Sequence, residues 1–187
     1  MAADDNEADL VEKLRNGDPQ ALAAAYDRYG KAAYSLFVRI TRDHGVSEDL
    51  VQELFLRLWN RAHQFDPGRG ALGVWLLSVA RNMAIDYVRS ARTKFQAGHR
   101  PLDQTNATAI SYKPREPENV IDNAKAVREA LAELSPNQRK ALELAYFEGF
   151  SQTEIAAQLS APLGTVKSWM RSALERLRKA IQGGVKP

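Results

Sequence analysis

Three groups of residues in this chain of 187 have the types and spacing to do chemistry. Asp49 and Glu53 stand four apart, which on a helix puts both carboxylates on one face, the arrangement a metal-binding acid pair would use. Arginines lie close by and no further acids converge in sequence, so a nuclease-like acid pair is the weaker reading. Cysteine is absent. His44, His63 and His99 are too widely spaced for a short metal-ligand motif, so the sequence implies no metal and no cofactor. The second group is Thr165, Lys167, Ser168, Arg171, Ser172 and Arg176, hydroxyl and cationic side chains of the kind that reach phosphates and base edges. The third lies around a glycine-rich turn, "FDPGRG" at 65–70, and includes Arg81, Asn82, Arg89 and Arg92. A loop beside a basic helix with an amide can hold an extruded base, because single strands are read through polar edge contacts and cationic backbone contacts.

The elements that position these groups read as helices. The composition, 44% hydrophobic and 26% charged, is that of a folded chain. Alternating β-branched runs are missing, whereas helix punctuation recurs. Gly17, Asp18 and Pro19 make a helix stop, a new N-cap and a first-turn proline. Ser47 reads as the N-cap of a helix whose first turn holds Glu48 and Asp49. Ser135 with Gln138, and Ser151 with Glu154, make two capping boxes. From 93 to 119, "TKFQAGHRPLDQTNATAISYKPREPEN" carries three prolines and no apolar period, which marks a linker. The expected architecture is all-α: a helical domain over 5–93, a flexible linker over 94–118, and a smaller helical domain over 119–182.

Charge is unevenly spread behind a formal net charge of only +3. Residues 1–20 hold six acids against two bases, and residues 164–187 hold six bases against one acid. Two separated basic segments, one from Arg81 to Arg100 and one at the C-terminus, suggest two contacts with a polyanion. The acidic N-terminus lacks the basic start and apolar run of a signal peptide, and no stretch approaches a membrane span, so a cytoplasmic protein is expected.

Within the second domain, helices are expected at about 120–133, 136–147, 152–159 and 164–181. A short capped helix, a turn of about four residues and a longer helix form the helix-turn-helix layout, whose second helix lies in the major groove. In that second helix Val166, Trp169, Met170, Ala173, Leu174, Leu177, Ala180 and Ile181 follow one apolar stripe. Arg176, Arg178 and Lys179 either reach phosphate or complement the helix C-terminus. In the first domain, Leu50, Val51, Leu54, Phe55 and Leu58 should be inward. Asp49, Gln52, Glu53, Arg57 and Asn60 are left outward with Leu56 and Trp59 beside them, a face suited to docking a basic partner helix. After the turn, Leu72, Trp75, Leu76, Val79, Ala80, Met83, Tyr87 and Val88 share one face of a long helix. Gly73 within it costs about 1 kcal/mol relative to alanine and marks a close approach.

Taken together, "SEDLVQELFLRLW", "FDPGRGALGVWLLSVARNMAIDYVRS", "LSPNQRKALELAYFEGFSQTEIAAQL" and "GTVKSWMRSALERLR", in this order, resemble the bacterial RNA polymerase sigma factors of the extracytoplasmic-function group. The resemblance implies region 2 before the linker and region 4 after it, and no enzymatic activity. It implies docking on the β′ clamp helices through Asp49, Gln52, Glu53, Leu56 and Trp59, and contact with the β flap. It places capture of the −10 element on Phe65, Asp66, Arg69, Arg81, Asn82 and Arg89. The −35 element falls to Thr165, Lys167, Ser168, Arg171, Ser172 and Arg176. Promoter DNA and an anti-sigma factor are the further partners implied, and the linker would thread the polymerase toward the RNA exit. Three positions depart from the family's pattern: Ser160 and Ala161 occupy the turn where glycine and a small apolar residue are common, and Trp169 replaces a frequent basic residue. A stand-alone helix-turn-helix regulator would account for the second domain but would leave "EDLVQELFLRLW" without purpose.

Overall fold

The structure, a computed structural model, describes residues 2–96 and 121–183. Among these, all regular structure is helical: α1 Ala2–Arg15, α2 Pro19–Thr41, α3 His44–Arg61, α4 Leu72–Gln96, α5 Ile121–Ala132, α6 Pro136–Phe147, α7 Gln152–Gln158 and α8 Leu163–Gly183. Two single 3-10 turns, Ala62–Gln64 and Pro67–Arg69, join α3 to α4. The chain divides into two compact units, Met1–Ala109 and Ile110–Pro187. Most of the linker expected at 94–118 lies outside the described residues, although α4 carries the helix three residues further than 93, to Gln96.

Punctuation in the sequence becomes geometry at most helix ends. Gly17 takes φ +73°, and its N–H and that of Asp18 return to Leu14 and Lys13 carbonyls, closing α1. Asp18 then accepts from the Gln20 N–H and starts α2 with Pro19 in its first turn. Both capping boxes form, at Ser135 with Gln138 and at Ser151 with Glu154. The start of α3 differs from the sequence expectation. Only Arg42 (φ 58°) and Asp43 separate α2 from α3, and Asp43, not Ser47, caps the helix by accepting from the Val46 N–H at 3.0 Å. With the connection this short the helix must start earlier. Ser47 is instead fully buried one turn in, donating to the Asp43 carbonyl and lying 3.0 Å from the Thr41 hydroxyl. Asp49 therefore sits beyond the first turn, where the helix dipole helps it little.

In the N-terminal unit α2 packs on α3 and α4, and α1 on α2. Phe37, Leu54, Leu58, Leu72 and Leu76 are its most deeply buried large side chains, each contributing about 1.5–3 kcal/mol by removal from water. Gly73 meets the close approach expected of it: a Cβ there would lie 2.8 Å from Cε1 of Tyr29. That ring cannot swing away freely, because its hydroxyl donates to Glu7 at 3.0 Å. Gly73→Ala is therefore expected to lower the stability of this unit by up to about 2 kcal/mol, the cost of overpacking less the helix propensity gained, read as a lower urea midpoint. Burial and the hydrogen bond to Glu7 push the Tyr29 phenol up to about 12 from 10.0. A raised folded-state value means the protonated phenol's contribution is complete below pH 10 and vanishes as pH rises through 12. Tyr29→Phe should remove one phenol titrating near that upper value in an ultraviolet absorbance titration.

The C-terminal unit is built on α8, which packs against α5, α6 and α7. Ala141, Leu144, Ile155 and Val166 form its core, with Phe150, Leu159, Trp169 and Met170 packed around them. Two carbonyls at the end of α5, where the helical ladder runs out, accept from arginines. Arg139 donates to Leu131 at 2.7 Å and Arg176 to Glu133 at 3.3 Å. At the end of α7, the Ser160 N–H bonds to Ala157 and the Ala161 N–H to Ala156. This paired bond pattern holds Ser160 at φ 49°, in the left-handed region that glycine adopts without a Cβ penalty. Ser160→Gly is expected to stabilise the unit by about 1 kcal/mol, checked by chemical denaturation.

Candidate nucleic-acid interface

The helix-turn-helix is α7, a four-residue turn over 159–162, and α8. Val166 and Ala173 anchor α8 inward, and Trp169 and Met170 lie half-buried against the core, which puts Trp169 on the packing face. On the outer side Lys167, Ser168 and Arg171 are exposed, and Thr165 is half-buried. Arg171 is 83% exposed, with Glu175 accepting from its Nε at 3.0 Å, a surface pair worth about 0.3–0.5 kcal/mol and easily exchanged for phosphate.

Two members of the expected set point elsewhere. Ser172 is half-buried and its hydroxyl lies 3.3 Å from Gln138 Nε2. Gln138 thereby ties α8 to the capping box of α6. Arg176 is committed to the Glu133 carbonyl, with the Glu133 carboxylate 4.0 Å away. Both side chains brace α8 from the side that carries α5 and α6. The apolar stripe also narrows. Leu174 is 54% exposed and Ile181 44% exposed. At about 100° per residue Leu174 sits roughly 80° around the helix from Val166, which takes it off the packing face.

In the N-terminal unit α3 buries Leu50, Val51, Leu54, Phe55 and Leu58, as its periodicity predicts. Asp49, Gln52 and Glu53 are exposed, Leu56 is 59% exposed and Trp59 is half-buried. Trp59 edges against the turn at Gly17, where a Cβ would stand 4.0 Å from its indole. Glu53 accepts from Arg57 Nε at 3.0 Å, so the acid pair with Asp49 is partly neutralised within its own helix. Among the described residues no three acidic, histidine or cysteine side chains converge. A further residue borders this face: Tyr26 of α2, half-exposed, sets its ring 4.9 Å from that of Phe55. Its position in an alanine-rich helix gave no sequence signal.

The loop between α3 and α4 is held at its base and open at its tip. Phe65 is only 4% exposed and packs on Trp75, ring centroids 5.7 Å apart. Its ring thus anchors the base of the loop and is not presented at the surface, unlike the exposed members of the expected set. The Asp66 carboxylate accepts from the Gly68 N–H at 3.0 Å, and Gly70 takes φ +137° with open space where a Cβ would be. The Arg69 side chain lies outside the described residues. Asn82 and Arg89 are exposed on α4 and Arg81 is half-buried. Tyr87, expected on the packing face, is 42% exposed, whereas Ala84 and Ile85 are buried.

Sequence reasoning missed the two residues that fix this loop from outside. Arg15 Nη2 donates to the Phe65 carbonyl at 2.6 Å, and Glu7 Oε1 accepts from the Leu72 N–H at 2.6 Å. Both sit in α1, and their partners are 50 and 65 residues away, so no local pattern could reveal them.

Residues 25–94 match the family described as Sigma-70 region 2, and residues 124–177 match Sigma-70, region 4. The ECF RNA polymerase sigma factor SigK of Mycobacterium tuberculosis (strain H37Rv) is 34% identical over 172 residues, spanning 92% of this chain and 91% of that protein. SigK of Mycobacterium sp. (strain KMS) is 32% identical over 180 residues, spanning 92% and 89%. Among solved structures, the sigma factor RpoE in complex with the anti-sigma factor NepR from Bartonella quintana aligns over 86% of this chain and 96% of that chain, at 25% identity and a TM-score of 0.43.

Proposed function

Because this chain belongs to the extracytoplasmic-function RNA polymerase sigma factors, we propose that it acts purely by binding, through three named surfaces. The exposed side of α3, Asp49, Gln52, Glu53 and Leu56 with Trp59 at its edge, docks on the β′ clamp helices of core polymerase. The loop over 66–70 with Arg81, Asn82 and Arg89 takes the −10 element. Thr165, Lys167, Ser168 and Arg171 on α8 meet the −35 element, with Ser172 and Arg176 holding that helix in place. The observation that carries this reading is Leu56, a large apolar side chain left 59% exposed among acids and amides. A stand-alone helix-turn-helix regulator has no use for such a face.

Melting would be driven by binding energy, each base stacked or captured on the protein being worth about 1–3 kcal/mol. The −35 contacts combine phosphate positioning by Lys167 and Arg171 with readout by neighbouring hydroxyls. Exposed basic faces also hold DNA of any sequence, which makes an anti-sigma partner that covers them a fitting control. Among the described residues no helix is long and apolar enough to cross a membrane, and the proposed site of action is the cytoplasm, with the polymerase.

Arg171→Ala tests the assignment of α8. Its side chain is 83% exposed, so −35-dependent run-off transcription is expected to fall about tenfold, the effect of one charge-assisted contact, with core association unchanged. A parallel fall in both would move Arg171 from DNA contact to folding.

A further inference from the structure

We propose that α1 is a staple that sets the conformation of the −10 loop, with Glu7 and Arg15 as positioning residues. This rests on the reading of that loop as the −10 site. Helix α1 precedes residues 25–94, the segment that matches region 2, yet it grips both ends of the loop. Arg15 donates to the Phe65 carbonyl on the entering side, and Glu7 accepts from the Leu72 N–H on the leaving side. Eight residues of helix separate Glu7 from Arg15, about 12 Å, so one rigid rod spans the loop base. Glu7 does two jobs: one carboxylate oxygen accepts the first N–H of α4, which has no helical partner, and the other accepts from Tyr29. The Tyr29 ring in turn fills the space left by Gly73. The rod itself is seated by Leu10, Val11 and Leu14, all buried.

Between the two grips the loop carries local bonds, Gly68 N–H to the Asp66 carboxylate and Gly70 N–H to the Pro67 carbonyl. Phe65 is buried at one end and Leu72 at the other, while Gly68 and Gly70 are exposed. A loop with glycines at its tip would lose much conformational entropy on capturing a base unless its ends were already fixed. The grips supply that preorganisation without touching DNA.

The test uses holoenzyme carrying Glu7→Gln or Arg15→Met and a single-stranded −10 oligonucleotide. Core affinity serves as an internal report on folding, because α3 belongs to the same compact unit. Each variant is expected to bind the oligonucleotide roughly tenfold more weakly, the loss of one charge-assisted hydrogen bond, with core affinity unchanged within about twofold. Arg15→Lys, which keeps a cationic donor, should recover part of the loss. Unchanged oligonucleotide affinity in both variants, with Asn82→Ala still weakening it, would overturn the staple. An equal fall in core and oligonucleotide affinity would overturn it too, by showing a role in folding alone. If Asn82→Ala also had no effect, the −10 reading of this face would itself be wrong.

Discussion

Leu56→Asp is expected to remove tight association with core RNA polymerase while leaving the N-terminal unit folded. The side chain is more than half exposed, so its loss costs the fold little, whereas a docked partner would bury it completely. Central apolar anchors of an interface are worth at least about 2 kcal/mol, which is roughly a thirtyfold loss of affinity. Aspartate adds a desolvation penalty and a further charge beside Asp49 and Glu53. Titration of core with labelled protein measures the affinity, and unchanged helical circular dichroism shows that the fold survives. Wild-type affinity in the variant would remove α3 from the docking surface.

The second large effect lies in the other unit. Ile155 is fully buried among Ala141, Leu144 and Val166, and Ile155→Ala opens a cavity that costs about 2–5 kcal/mol. A unit of this size, roughly 60 residues, holds only about 3–9 kcal/mol in total, so region 4 is expected to lose about half of its stability and to open far more often. Transcription from −35-dependent promoters should fall, and fall further on heating, while docking through α3 persists, because the N-terminal unit has its own core. Limited proteolysis should then digest the C-terminal unit and spare a fragment containing α1 to α4. Retained protease resistance across α5–α8 would contradict this placement of the core.

What the sequence could reveal depended on the range of the physics involved. Caps are local: Asp18, Ser135 and Ser151 announce themselves within three or four residues, and all three cap helices in the structure. Periodicity found the buried side of α3 for the same reason. Ser47 was misread because the two-residue link from α2 fixes where α3 begins, and that link is legible only once α2 is known to run to Thr41. Leu174 looked like packing by its spacing, but α5, α6 and α7 cover an arc too narrow to reach it. Phe65 and Arg176 carry residue types that suit DNA contact, and neighbours distant in sequence claim both. Glu7 and Arg15 lie at the opposite extreme, since nothing near them in sequence points to Leu72 or Phe65. Tyr29 and Gly73 stand between these cases: the glycine signalled a close approach, and only the fold identified what approaches.

On the proposed function, one chain joins core polymerase to promoter DNA. Adding the purified protein to core polymerase on a genomic promoter library, and recording stoichiometric co-elution together with run-off transcripts, tests it most directly. The prediction is a one-to-one complex that starts transcripts at defined promoters, with no transcripts from core alone. A protein that bound DNA by itself but neither co-eluted with core nor started a transcript would contradict it.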